Sequence, residues 1–108
     1  VNGESKRDFL YVEDLVELIL KLVDLDFKFE VFNAGFGKSY SFNEIIKKCE
    51  KISKKKLDVV YKKDHSIFIS DIICDITKVK NKTGWKPTTS IDKGLCNIIE
   101  SELYNNNK

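Results

Sequence analysis

Apolar positions along the chain fall into two periodicities, and together they set out an alternation of strands and helices. Asp8 to Val12 (DFLYV) is a short run of aromatic and branched residues that predicts a strand. Glu13 and Asp14 open a helix after it, in which Leu15, Leu18, Ile19, Leu22 and Val23 recur three and four apart while Glu17 and Lys21 face water. Acids in that first turn suit the positive end of the helix dipole. Phe29 to Asn33 (FEVFN) predicts a second strand, closed by the turn Ala34-Gly35-Phe36-Gly37.

The next helix carries an explicit start signal. Ser41 followed three residues later by Glu44 is a capping box, with Tyr40 and Ile45 placed as its hydrophobic staple. Its inward positions are Phe42, Ile45, Ile46, Cys49 and Ile52, which makes Cys49 packing rather than chemistry. The lysines Lys54, Lys55 and Lys56 end it where a helix favours positive charge. Leu57 to Tyr61 (LDVVY) predicts a third strand and Lys62 to Asp71 a loop or irregular edge. Asp75 is placed to cap a short helix through Lys82 that stops at Gly84, and Trp85-Lys86-Pro87 is an extended link. Ser90 caps a last helix with Ile91, Leu95, Ile98, Ile99 and Leu103 as its apolar side, and Asn105 to Asn107 should fray. The order is α/β, with no repeat and no low-complexity linker.

Composition narrows the class. With 108 residues, 42% hydrophobic and 33% charged, the chain suffices for one ordinary globular domain. Eighteen lysines and one arginine face seventeen acids for a net charge of +2, too balanced for counterion-driven nucleic-acid binding. No apolar run approaches the roughly 20 residues of a membrane span, and no secretory leader is expected. The three cysteines, Cys49, Cys74 and Cys96, are odd in number and widely spaced, which fits neither a disulfide framework nor a zinc site and points to a reducing compartment. Met is absent even at position 1, as a processed start before Val1 or a cut from a longer protein would each leave it.

Candidate chemistry concentrates at two places. Gly35-Phe36-Gly37-Lys38-Ser39 comes close to two phosphate-binding patterns and meets neither: Phe32 stands where a Walker loop needs glycine, and Tyr40 where a dinucleotide fingerprint needs one. What remains is a glycine turn that is either a tight connection or a cradle whose free amides hold an anion. The second place is Arg7. Its planar fork can grip phosphate oxygens in a bidentate way, or it can pair at the surface with Asp8 or Glu4.

Arg7-Asp8-Phe9-Leu10-Tyr11-Val12-Glu13-Asp14-Leu15 resembles the R-D-[FWY]-[IL]-[HY]-V-x-D-[LV] segment of the extended short-chain dehydrogenase/reductase family, the NAD-dependent sugar-nucleotide epimerases and dehydratases. Val31 to Ser41 resembles that family's "YNIGxGxxxS" turn. Asp75-Ile76-Thr77-Lys78, Thr83-Gly84-Trp85-Lys86-Pro87 and Ser90 to Leu95 resemble its "D-x-[ST]-K…LGW-x-P…S-[LI]-x-x-G-[LI]" ending. The three segments come in the family's order and cover nearly the whole chain.

The resemblance implies that residues 1–108 are the C-terminal substrate-binding portion of an extended Rossmann-type enzyme, short strands alternating with about four helices, without the N-terminal cofactor domain. It implies that Arg7 contacts the pyrophosphate of a nucleotide-diphosphate sugar. A second family arginine and its aspartate fall, by spacing, on His65 and Phe68, and both depart from the pattern. His65 could still donate one hydrogen bond to phosphate, or be incidental, with Lys62 and Lys63 supplying charge. NAD belongs to the parent enzyme and is not expected to bind this chain alone. The catalytic Tyr-x-x-x-Lys pair has one match, Tyr104 to Lys108, at the wrong end of the motif order, so no catalytic residue is assigned.

The expected function is a cytoplasmic substrate-binding fragment, inactive alone. A UDP-glucose 4-epimerase type is the first choice, with a dTDP-glucose 4,6-dehydratase or a GDP-sugar epimerase-reductase close behind. The alternative is a free-standing, non-catalytic sugar-nucleotide-binding module. The expected partners are the N-terminal cofactor domain and a second copy through exposed apolar surface, with neither nucleic acid nor membrane.

Overall fold

A computed structural model describes residues 3–62 and 69–108. Strand β1 (Lys6–Asp8) leads into α1 (Val12–Val23), β2 (Ser39–Ser41) runs directly into α2 (Phe42–Ser53), and α3 (Thr77–Thr83) and α4 (Ile91–Asn106) complete the order. The four helices match expectation. The sheet is smaller than expected: β1 and β2 pair antiparallel, with Lys6 opposite Ser41, Arg7 opposite Tyr40 and Asp8 opposite Ser39. Along its other edge, β1 meets the chain at Asp71 in a single parallel bridge to Lys6.

Three expected strands are corrected. The strand placed at 8–12 lies at 6–8, because β1 stops where Asp8 turns its side chain to backbone amides and the helix begins at Val12. Residues 29–33 form no strand. That stretch is tied down by one lysine from α3, whose Lys78 ammonium donates to the Val31 carbonyl at 2.7 Å, pairs with Glu30 at 2.8 Å and sits 5.0 Å from the Phe32 ring centroid. Residues 57–61 likewise have no sheet partner among the described residues and are not a strand. A strand exists only where a neighbour takes its backbone groups, and composition alone does not supply one.

The helix signals fare better. The Ser41 hydroxyl accepts the Glu44 amide at 3.1 Å and the Glu44 carboxylate accepts the Ser41 amide at 2.7 Å, which completes the capping box. That backbone bond holds the Glu44 carboxyl below its ordinary value. Ser90 caps α4 through the Lys93 amide, and Gly84 ends α3 in the left-handed conformation. Lys54, first of the lysine run, closes α2 with φ 57. Two ends differ from expectation. The N-cap position of α3 is Ile76, one residue beyond Asp75, whose carboxylate still accepts the first-turn Thr77 amide at 3.0 Å, and α4 stays helical through Asn106.

The core is small, in keeping with a slab measuring 48 × 41 × 18 Å. Leu18, Val79 and Trp85 are buried, with Leu10, Leu22, Phe32, Ala34 and Ile76 packed around them. Helices α2 and α4 lie together, braced by Lys48 on Asp92 at 2.8 Å. This pair lowers the Asp92 carboxyl and raises the Lys48 ammonium, chiefly through their mutual hydrogen bond. Cys49 is half-buried on α2, consistent with packing, and its inward neighbours Phe42, Ile45, Ile46 and Ile52 are half-buried as well. On α4, Ile91, Leu95 and Ile99 are half-buried, whereas Ile98 and Leu103 of the expected apolar side are exposed.

Helix α1 departs most from its sequence pattern. Of the expected inward side, Leu18 is buried and Leu22 half-buried, while Leu15, Ile19 and Val23 are exposed. The most deeply buried neighbour of Leu18 on the helix is an acid, Asp14. Its carboxylate accepts the amides of Thr88 (3.3 Å) and Thr89 (2.9 Å) and both threonine hydroxyls (3.2 Å each). Its carbonyl accepts the Trp85 indole N–H at 2.9 Å. A buried carboxylate costs several kcal/mol unless its lone pairs are met. Here four donors from the link after Trp85 meet them and hold that link against α1.

Candidate functional site

The candidate site is built on β1 and the two segments flanking it. Arg7 is half-buried on the strand, opposite Tyr40. Its Nη1 donates to the Lys6 carbonyl at 2.7 Å and to the Ile69 carbonyl at 3.0 Å, which fixes one end of the guanidinium against the chain entering from residue 69. His65 and Phe68, the other positions implied by the family pattern, lie outside the described residues, as does Lys63.

Beside Arg7, Asp8 settles the two readings of the glycine turn. The Phe36 amide donates to Asp8 Oδ1 at 2.7 Å, and the Gly37 amide donates to Oδ2 at 2.8 Å. An anion does rest on the turn's amides, and it is the chain's own carboxylate. The turn is a connection closed by Asp8, not an open cradle. The alternative of an Arg7 pair with Asp8 or Glu4 meets a related finding: the Asp8 carboxylate is engaged by backbone amides, and Glu4 accepts the Asn43 side-chain amide. Gly37 holds φ 82, and a Cβ at Gly35 would fall 2.5 Å from the Cys74 Cβ and 2.9 Å from Asp8 Oδ2. Both glycines are therefore demanded by the closure itself.

Asp8 also reaches the third segment, accepting the Cys74 amide at 3.2 Å. Burial, and then the nearby Asp8 charge, push the Cys74 thiol above its ordinary value, so it is a poor nucleophile. An open cavity of about 280 Å³ lies past this corner, lined by Gly37, Cys74, Asp75, Ile76, Thr77, Lys80 and Asn81. A second, of about 300 Å³, lies between Gly3, α2 and residues 59–62 and is mostly apolar. Sequence reading named Arg7 and missed Asp8. The signal was available, since a turn rich in unpaired amides wants an anion and Asp8 is an acid.

The profile of a family described as GDP-mannose 4,6 dehydratase matches residues 1–98. The chain belongs to the extended short-chain dehydrogenase/reductase family of sugar-nucleotide epimerases and dehydratases. An Escherichia coli dTDP-4-dehydro-6-deoxyglucose reductase is 31% identical over 98 residues, which is 91% of this chain and 31% of that protein. The Thermotoga maritima UDP-glucose 4-epimerase solved with UDP-glucose superposes with a TM-score of 0.88 at 32% identity, over 97% of this chain and 34% of that one. The Bifidobacterium longum UDP-glucose 4-epimerase, solved with NAD+ and UDP, superposes with a TM-score of 0.80 at 29% identity, over 88% of this chain and 29% of that one. The fold is thus that of a portion of a Rossmann-type enzyme, and the chain spans about a third of the length of the relatives it matches.

NAD is present in the solved structure of the related Bifidobacterium longum epimerase. In this chain the Phe36 and Gly37 amides of the glycine turn are taken by Asp8. The Tyr-x-x-x-Lys string closes α4, where the Lys108 ammonium lies over the exposed Tyr104 ring at 4.4 Å from its centroid, remote in sequence from the Arg7 corner. Among the described residues no helix is long and apolar enough to cross a membrane, and no cluster of potential metal ligands occurs.

Proposed function

We propose that residues 1–108 form the substrate-side portion of an NAD-dependent sugar-nucleotide epimerase of the UDP-glucose 4-epimerase type, in which Arg7 grips the substrate pyrophosphate. The likeness to an epimerase solved with UDP-glucose supports the substrate class. The observation that carries the reading is the outer side of α1, where Ile19 is 50% exposed, Leu20 62% and Val23 75%, continued by Phe29 at 84%. Leaving so much apolar surface in water is unfavourable by roughly 25 cal/mol per Å², so a side of this kind is built to be covered. A cofactor-binding domain, which the chain's share of its relatives' length leaves room for, is the covering partner. Without it NAD has no seat, and the 108 residues alone are inactive. Three unpaired cysteines favour the cytoplasm.

The satisfied corner around Asp14 and Trp85 favours a second reading, a free-standing binding module, because it lets this portion hold its shape unaided. Both readings give binding of UDP-glucose without turnover by the chain alone, and both give a loss of at least tenfold in affinity for Arg7→Ala, measured by calorimetric titration. Epimerisation by the purified chain with NAD would sink both readings. An Arg7→Ala variant with undiminished affinity would remove the role given to Arg7 in either.

A further inference from the structure

A guanidinium can grip phosphate in a directed way only if it is held still, and the backbone around Arg7 explains half of how this is done. Residues 69–74 run alongside β1. The Lys6 amide donates to the Ser70 carbonyl at 2.8 Å, and the Ile72 amide donates back to the Lys6 carbonyl at 3.2 Å. In a regular parallel ladder the rungs would continue from the Asp8 amide to the Ile72 carbonyl and then from the amide of residue 74 to the main-chain carbonyl of residue 8. Here the Cys74 amide donates to the Asp8 side chain, at 3.2 Å from Oδ2. The same oxygen takes the Gly37 amide and its neighbour Oδ1 takes that of Phe36. One carboxylate thus joins β1, the glycine turn and the 69–74 run at the residue directly after Arg7. At the start of that run, the Ile69 carbonyl accepts Arg7 Nη1.

We propose that Asp8 is a positioning residue for Arg7: by taking over the ladder where the backbone rungs stop, it fixes the register of residues 69–74, and so places the Ile69 carbonyl that orients the guanidinium. The proposal deepens the reading of Arg7 as the phosphate-gripping group and rests on it. Its chemistry is that of an acceptor with two oxygens for three donors. Asparagine at position 8 presents one oxygen and turns an NH2 toward N–H donors, so it keeps either the Phe36 bond or the Gly37 and Cys74 pair. The corner has no slack to absorb the change, because Gly35 already packs against Cys74 and Asp8 with no room for a Cβ.

Arg7 is the chain's single arginine, so its guanidinium gives one assignable set of 15N signals at 12.5 kDa. The wild-type chain should show slowed guanidinium rotation, with resolved Nη protons. Asp8→Asn should shift and average them, whereas Val79→Ala, which weakens the core elsewhere, should leave them in place. An unchanged guanidinium signal in Asp8→Asn, or an equal change in Val79→Ala, overturns the proposal. If Asp8→Asn does not fold, Asp8→Glu, which moves both oxygens by one methylene, is read in the same way. With UDP-glucose as probe, Asp8→Asn should bind about tenfold more weakly, and should cost nothing further when added to Arg7→Ala. Additive losses would overturn the positioning role. A wild-type chain that binds no UDP-glucose removes the functional reading, while the guanidinium comparison still decides the role of Asp8.

Discussion

The two sides of α1 obey opposite rules. On one side Asp14 and Leu18 are each 2% exposed, and every oxygen of a buried acid is met by Trp85, Thr88 or Thr89. On the other, Ile19, Leu20 and Val23 stand in water. A polar residue is inside and apolar residues are outside, in one helix of twelve. Burial follows what partners a position has, and polarity decides only the cost when partners are lacking. The inner side is complete within this chain. The outer side leaves its apolar residues exposed.

The largest break in that comparison is Trp85→Ala, which removes the central buried ring and its hydrogen bond to α1. Stability should fall by about 3–5 kcal/mol, read by circular dichroism in a urea titration. Next is Asp14→Ala, which leaves the Thr88 and Thr89 donors unmet and should cost about 2–3 kcal/mol, with Trp85 fluorescence as the reporter. A loss below 0.5 kcal/mol, roughly the scale of a neutral surface change, would mean that the threonines find water as readily.

The outer side should respond in the reverse sense. The pair Ile19→Ser and Val23→Ser should change unfolding by no more than about 0.5 kcal/mol each. In sedimentation at high concentration, however, the wild-type chain should self-associate and the double variant should not. A wild-type chain that stays monomeric would show that this side tolerates water by itself.

The smallest effect concerns the exposed carboxyls. Those of Glu30, Glu44, Asp75 and Asp92 lie below their ordinary values of 4.5 for the glutamates and 3.8 for the aspartates, held there first by hydrogen bonds from Lys78, Ser41, Thr77 and Lys48 respectively. A group whose folded value is lowered gives stability that is present above its unfolded value and fades as pH falls through the folded one. Stability should therefore be level through neutrality and decline below the range 4.5 to 3.8, more shallowly in high salt because these groups are exposed. A decline already visible at pH 6 would point to other groups.

Helix starts were legible because their information is local. Ser41 with Glu44 and Ser90 with Lys93 are closed by residues three apart, and a short-range pattern carries the whole interaction. Strands were not legible, because each half of a ladder lies elsewhere in the chain. Residues 29–33 have strand composition and are instead held by Lys78 from α3, while Ser39–Ser41, of unremarkable composition, pairs with β1. At the site, Arg7 stood out by its rarity and by a family motif, whereas Asp8 next to it did not, since its partners lie at positions 36, 37 and 74.

By itself, then, the sequence determined the four helices, the caps of α2 and α4, the glycine turn and the family. Each is carried by residue types at short fixed spacings. Only the tertiary structure decided which side of α1 is inside, that an acid rather than a leucine anchors it, and that the turn's anion is Asp8. Those outcomes depend on which distant groups arrive to satisfy a hydrogen bond, and that competition is settled in three dimensions.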